Sequence, residues 1–320
     1  DAESGVADWF FSQREFVVRS GRLRWVDEQR DAPPLELEQV DLVVRNGLRR
    51  HDVRLDATPP AGWGERFTLQ GRFTQPLLHV SGDWRRWSGT LHAALPRTNV
   101  AELRRHVSLP VEVSEGEGAV RAWIDVRKGQ AQSATVDLAL RSVGLRLDPS
   151  VQGLAIARLQ GRINAERVDG QIKLAAEALD FETTDGVAWP RSSFALTLRQ
   201  APGQATDGAA FSGGTLTADR LDLAVMAQVA ARVPLGAALA KLLGELAPTG
   251  QVSALNASWE GPLDTPSRYQ VKASVVGLAI AAASSPEPGG VGRPGWRNAA
   301  IAFDANQTGG RAELVLNKGA

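Results

Sequence analysis

The sequence predicts a mainly β chain, with antiparallel strands in succession and a few short helices. Three observations predict it. Apolar and polar residues alternate with period two through about sixteen runs, the signature of half-buried strands. Gly, Pro, Asp and Asn punctuate these runs at short intervals, so consecutive strands must turn back on one another. Helical periodicity is confined to three places.

In chain order, Ser4 to Ser12 reads as a short amphipathic helix. Several strands open on a Gly-x-hydrophobic start, at Gly21-Arg22-Leu23, Gly71-Arg72-Phe73, Gly89-Thr90-Leu91, Gly161-Arg162-Ile163 and Gly214-Thr215-Leu216. The recurrence has no fixed period and marks repeated hairpins rather than a solenoid. A second helix is expected over Asn99 to Val107, with Asn99 as N-cap and Val100, Leu103 and Val107 on one face. Val120, Ala122, Ile124 and Val126 then alternate with Arg121, Trp123, Asp125 and Arg127. Arg127-Lys128-Gly129-Gln130 reads as a hairpin turn, followed by Val136, Leu138 and Leu140 alternating with Asp137, Ala139 and Arg141. Val168-Asp169-Gly170 is a second such turn, and Ile172, Leu174 and Ala176, then Phe194, Leu196 and Leu198, continue the pattern.

Ala201 to Gly214, rich in Gly, Ala and Thr, reads as a flexible loop. Ala224 to Leu246 carries the strongest helical stripe, and Pro234 should break it in two. Pro248-Thr249-Gly250 returns the chain to strand, with Val271, Ala273 and Val275 on one face. Ser284 to Gly295 holds four Gly and three Pro and reads as a second flexible loop, before Ala312, Leu314 and Leu316 form a last strand. Composition does not shift enough to divide the chain, so 1–320 is read as one continuous segment, with 224–246 a candidate helical brace or lid.

Composition narrows the function classes. The 36 basic and 36 acidic residues give no net charge, which argues against a nucleic-acid partner. Cysteine is absent, which excludes disulfides, thiolate metal sites and a thiol nucleophile. The four His (His51, His79, His92, His106) have no metal-ligand spacing, so neither metal nor cofactor is expected. Only five of the basic residues are Lys; with the Ala and Gly content this points to a GC-rich bacterial genome. No apolar run is long enough for a transmembrane helix. Residue 1 is neither an initiator Met nor the start of a signal peptide, so the chain reads as an excerpt of a longer one.

Catalytic signatures are missing too. The acidic residues are scattered, and no GxSxG, Walker A, GxGxxG or HExxH pattern occurs. An enzyme is therefore not expected. Nine Trp against one Tyr is unusual, and Trp84 and Trp87, with Asp83 beside them, form a candidate sugar platform. That supports an alternative reading as a carbohydrate-binding or hydrolytic β-protein of the cell envelope. Burial of these Trp against the 99–107 helix would instead make them packing residues. The strand faces carry Val, Leu, Ile and Ala, which suits acyl chains because they need area burial and no directed polar contact. The same face could close on itself as a structural scaffold, and periodicity does not decide between the two.

Certain segments resemble a known family. They are Val18-Arg19-Ser20-Gly21-Arg22-Leu23-Arg24-Trp25-Val26-Asp27, Leu37-Glu38-Gln39-Val40-Asp41-Leu42-Val43-Val44-Arg45-Asn46, Gly82-Asp83-Trp84-Arg85-Arg86-Trp87-Ser88-Gly89 and Gly116-Glu117-Gly118-Ala119-Val120-Arg121-Ala122-Trp123. Leu221-Asp222-Leu223, the Leu-rich helices, Pro248-Thr249-Gly250 and Trp259-Glu260-Gly261-Pro262 follow in the same order. Together they resemble the central region of YhdP-type, AsmA-like bacterial envelope proteins. The resemblance implies an elongated, curved sheet forming an open β-groove, similar to that of chorein-type bridge proteins. It also implies a periplasmic chain, held to the inner membrane by an upstream helix, that moves phospholipids toward the outer membrane, and it carries over no catalytic residue. On this reading Val120, Ala122, Ile124, Val126, Val136, Leu138, Leu140, Ile172, Leu174, Phe194, Leu196, Leu198, Val271, Ala273 and Val275 line the groove. Alternation puts each strand's set on one face; that this face is the concave one is implied by the resemblance.

Overall fold

A computed structural model describes residues 2–26, 33–77, 79–107, 111–201, 211–263, 265–283 and 291–316. Among these, fifteen strands form one antiparallel sheet in sequence order, from β1 at one edge to β15 at the other, and the sheet does not close into a barrel. Each connection joins spatial neighbours, as expected when short turns link alternating segments. The chain divides into two compact units: residues 1–144 with 158–166, and residues 145–157 with 167–320.

The first unit begins with helix α1 (Ala2–Ser12), followed by β1 (Glu15–Trp25), β2 (Leu35–Asn46), β3 (Arg50–Thr58) and β4 (Phe67–Thr74). After a single 3-10 turn at Trp84–Arg86 come β5 (Ser88–Asn99), α2 (Val100–Arg104), β6 (Glu112–Arg127), β7 (Gln130–Arg146) and the middle of β8 (Leu154–Val168). Asn99 caps α2 as expected: its Oδ1 accepts from the N–H of Ala101 at 3.0 Å and of Glu102 at 3.4 Å. The helix is shorter than the sequence indicates. Beyond Arg104 the N–H groups of Arg105 and His106 bond three residues back, to Glu102 and Leu103, and that of Val107 bonds four back to Leu103, so the end is a mixed 3-10 and α turn.

The second unit holds β9 (Gln171–Thr183), β10 (Ala188–Gln200), β11 (Phe211–Asp222), helices α3 (Leu223–Val229) and α4 (Ala237–Leu246), β12 (Thr249–Glu260), β13 (Arg268–Ile280), β14 (Trp296–Asn306) and β15 (Gly309–Leu316). The break expected at Pro234 separates α3 from α4. Asp222 caps α3 by accepting from the N–H of Ala224 and Val225. Lys128-Gly129 and Asp169-Gly170 both have positive φ at the two central residues, the geometry of the primed turns that suit strand twist. The two loops expected at 201–214 and 284–295 lie largely outside the described residues; of the first, Phe211 to Gly214 is already β11.

Six strands carry one further device. Ser20, Gln39, Ser142, Ala178, Ala254 and Asn298 adopt φ near +50° inside β1, β2, β7, β9, β12 and β14. Where pairing is resolved, the register slips beside them, as between Glu38 and Asp41 or between Ser253 and Asn256. These are β-bulges, which leave one residue unpaired and bend the strand. Side chains of the next strand take up freed N–H groups: Ser20 donates to Asp41 Oδ1 at 3.0 Å, and Ala178 to Ser193 Oγ at 3.2 Å. The apolar set changes phase at each bulge. In β2 it runs Leu35, Leu37, then Val40, Leu42, Val44, and residues from both sides of Gln39 join one cluster with Ala57.

Candidate functional site

The second unit shows most plainly how its sheet sorts side chains. Directly opposite one another across six strands stand Leu174, Leu196, Leu216, Ala257, Val271 and Ala305. The next position along each strand reads Lys173, Thr197, Thr215, Ser258, Gln270 and Asn306, all polar. Because successive side chains point to opposite faces, these registered rows make one aliphatic face and one hydrophilic face. Flanking the aliphatic row, Phe194 stands between Ala176 and Ala218, and Ala273 stands opposite Phe303.

One end of this face is closed by packing. Ala218, Leu221, Val252, Ala273, Val275, Leu278 and Ala299 form a buried cluster, against which Leu223 and Met226 of α3 pack. The middle row stays more open, and Leu174 keeps 37% of its surface exposed. In α4, Leu243 is buried while Leu239 and Leu242 remain exposed, so only part of that helix's stripe finds a partner among the described residues.

The first unit repeats the arrangement. Val18, Leu42, Leu55, Leu69, Ala93 and Ala122 stand in register across β1 to β6, and Val44, Val53, Gly71, Leu91 and Ile124 form the adjoining row. Its other face carries Arg45, Asp52, Arg72, Thr90 and Asp125 in one registered row. Ion pairs lace that face: Arg45 to Glu15 at 2.9 Å, Arg72 to Asp52 at 3.0 Å and Arg162 to Asp137 at 2.6 Å. The Arg162 guanidinium holds the Asp137 carboxyl below its usual range. Exposed pairs of this kind add little stability and keep the face wetted.

Each expected groove residue can be placed. On β6, Val120 is buried and Ala122, Ile124 and Val126 are half-buried, opposite Leu95, Ala93, Leu91 and Gly89. Leu140 is buried on β7, with Val136 and Leu138 half-buried. Leu198 pairs with Ile172 and Gly214, and Leu196 with Leu174 and Leu216, so the β9 and β10 sets meet directly. The β13 set joins them through Leu216 and Ala257, which are not in the expected groove set. Leu42, Leu55, Leu69 and Ala93 in the first unit are likewise outside that set. Two consecutive non-core residues between apolar positions, as Glu38-Gln39 between Leu37 and Val40, are the signal that carries the pattern through a bulge.

The paired Trp behave otherwise than a sugar platform requires. Trp87 is buried and stacks on His51 at 3.9 Å, with Phe11 of α1 edge-on at 4.7 Å, so it packs against α1 and not against the 99–107 helix. Trp84 is exposed beneath the Arg85 guanidinium, and Asp83 is taken by Arg86 at 2.9 Å. These residues form no cleft with paired carboxylates.

No described helix is long and apolar enough to cross a membrane, and no group of three or more His, Asp or Glu stands ready for a metal among the described residues. The chain matches no curated protein and no solved structure. The family model described as YhdP protein matches residues 1–319, so this chain, whose strands in each unit sort aliphatic from hydrophilic rows, belongs to the YhdP family.

Proposed function

We propose that this chain is a non-enzymatic, periplasmic stretch of an inner-membrane-anchored protein, and that it carries phospholipids toward the outer membrane on its aliphatic β-face. The observation that supports this most is the pair of registered rows, Leu174 to Ala305 in the second unit and Val18 to Ala122 in the first, each backed by a polar row. Acyl chains gain roughly 0.8 kcal/mol per buried CH₂. On a wall of Leu, Val and Ala that gain changes little from strand to strand. A chain can therefore move along it without a deep trap, while its head group stays in water. Membership in the YhdP family supports the same reading.

Mass spectrometry of the lipids that co-purify with the folded chain tests it. Phospholipid in near-stoichiometric amount is expected. A folded chain that holds none, and takes none up from vesicles, would leave the aliphatic faces as internal packing of a structural scaffold.

A further inference from the structure

The hydrophilic face of the first unit holds a concavity of about 690 Å³ that the lipid reading does not use. It is built on two registered rows. One reads Val43, Arg54, Gln70, His92 and Trp123; the other reads Arg45, Asp52, Arg72, Thr90 and Asp125. A large exposed tryptophan at the β6 end of a mostly polar row stands out, since it is neither core nor charge. Trp123 is 39% exposed, with His92 tilted against it at 5.2 Å and the Arg162 guanidinium 6.0 Å from its ring.

The cations around it are already paired, Arg45 with Glu15 among them. Arg72 pairs with Asp52 at 3.0 Å and Arg54 with Asp56 at 2.7 Å, while Arg162 is held by Asp137 at 2.6 Å. Asp125 accepts from Ser133 Oγ at 2.7 Å. The concavity therefore offers an aromatic face and many fixed donors and acceptors, with little charge in excess. Phosphates and other anions call for unpaired cations. Acyl chains call for a continuous aliphatic wall, and in these two rows Val43 is the one aliphatic side chain. A neutral polyhydroxylated ring calls for what is here, a flat apolar surface ringed by planar polar groups. We infer that this concavity is a binding site for a neutral oligosaccharide of a few rings, with Trp123 as its stacking platform.

The test is a calorimetric titration of the purified chain with the tetramers of N-acetylglucosamine, cellulose and maltose. Inorganic phosphate and heparin serve as anionic comparators. At least one neutral tetramer is expected to bind with a dissociation constant below about 1 mM. Trp123→Ala should weaken it by about tenfold or more, as truncating an aromatic anchor does. Gln70→Ala, a milder exposed change, should cost about threefold and keeps the test alive if the first variant fails to fold. Neither variant should change the phospholipid content, because both lie on the other face. No binding of any neutral tetramer, binding of the anions alone, or unchanged affinity in a folded variant would overturn the inference.

Discussion

Leu196→Asp isolates the role of the aliphatic face in one residue. Leu196 stands directly between Leu174 and Leu216, and the nearest registered cation, Lys173, is opposite Thr197 on the other face. A carboxylate at 196 therefore has aliphatic neighbours in its row and no counter-ion there. Aspartate is also too short to carry its charge out to water as a long Lys or Arg side chain would. An acyl chain laid over it must desolvate an unpaired ion, at a cost of several kcal/mol. Taking ~3 kcal/mol, lipid affinity at that position falls about 100-fold. Thr197→Asp moves the same charge one position along, opposite Lys173, and should change binding by less than about twofold. The assay is uptake of a fluorescent phospholipid from vesicles per mole of protein, with circular dichroism to confirm the strand signal. Leu196→Asn separates polarity from charge and should fall between the two. A folded Leu196→Asp chain that loads lipid as wild type does would refute the reasoning.

Three other expectations concern the scaffold. His51 is almost wholly buried, its Nδ1 is 2.7 Å from Asn46 Oδ1 and its Nε2 is 3.0 Å from the Gln75 side chain, and burial pushes its pKa below the usual 6.5. The folded chain thus binds fewer protons than the unfolded one, so stability present above pH 6.5 is lost as pH falls toward the lower folded value; the thermal midpoint should drop from pH 7.5 to 5.5, and less so in His51→Gln. Asp185 is lowered to about 2 by Arg232, which it meets at 2.6 Å, and by Thr183. Its contribution is full above the ordinary carboxylate value and is lost as pH falls toward 2, so Asp185→Asn should flatten urea midpoints of the second unit over that range. Gly118 has φ +146°, and a Cβ there would lie 2.1 Å from the Ala139 carbonyl oxygen, whereas Gly170, φ +71°, has open space around it. Gly118→Ala should cost roughly 2–3 kcal/mol and Gly170→Ala about 1 kcal/mol in denaturant unfolding.

Much of this fold was legible because sheets sort side chains by parity. Val120 to Val126 and Phe194 to Leu198 announced their strands, and Asn99 caps the helix that follows it. The bulges were not legible from residue type. A left-handed residue is usually Gly or Asn, yet five of these six are Ser, Gln or Ala, held there by cross-strand pairing. The site was half legible for the same reason. Strict alternation found the segments between bulges but not the phase changes that carry Leu37 and Val40 onto one face. Trp87 packs, as one of its two readings allowed, but its partners Phe11 and His51 lie in distant sequence and not in the 99–107 helix. The concavity around Trp123 needs cross-strand register, which no single strand encodes.

Acyl chains on one face and not the other would be seen most directly by site-resolved photocrosslinking in cells. A photoreactive amino acid would be placed at Gln70, Leu69 and Thr68 in β4 and at Thr215, Leu216 and Thr217 in β11. Phospholipid adducts are expected at Leu69 and Leu216 alone, tracking the alternation of the strand. Equal labelling at neighbouring positions, or adducts confined to Gln70, Thr215 and Thr217, would contradict the account.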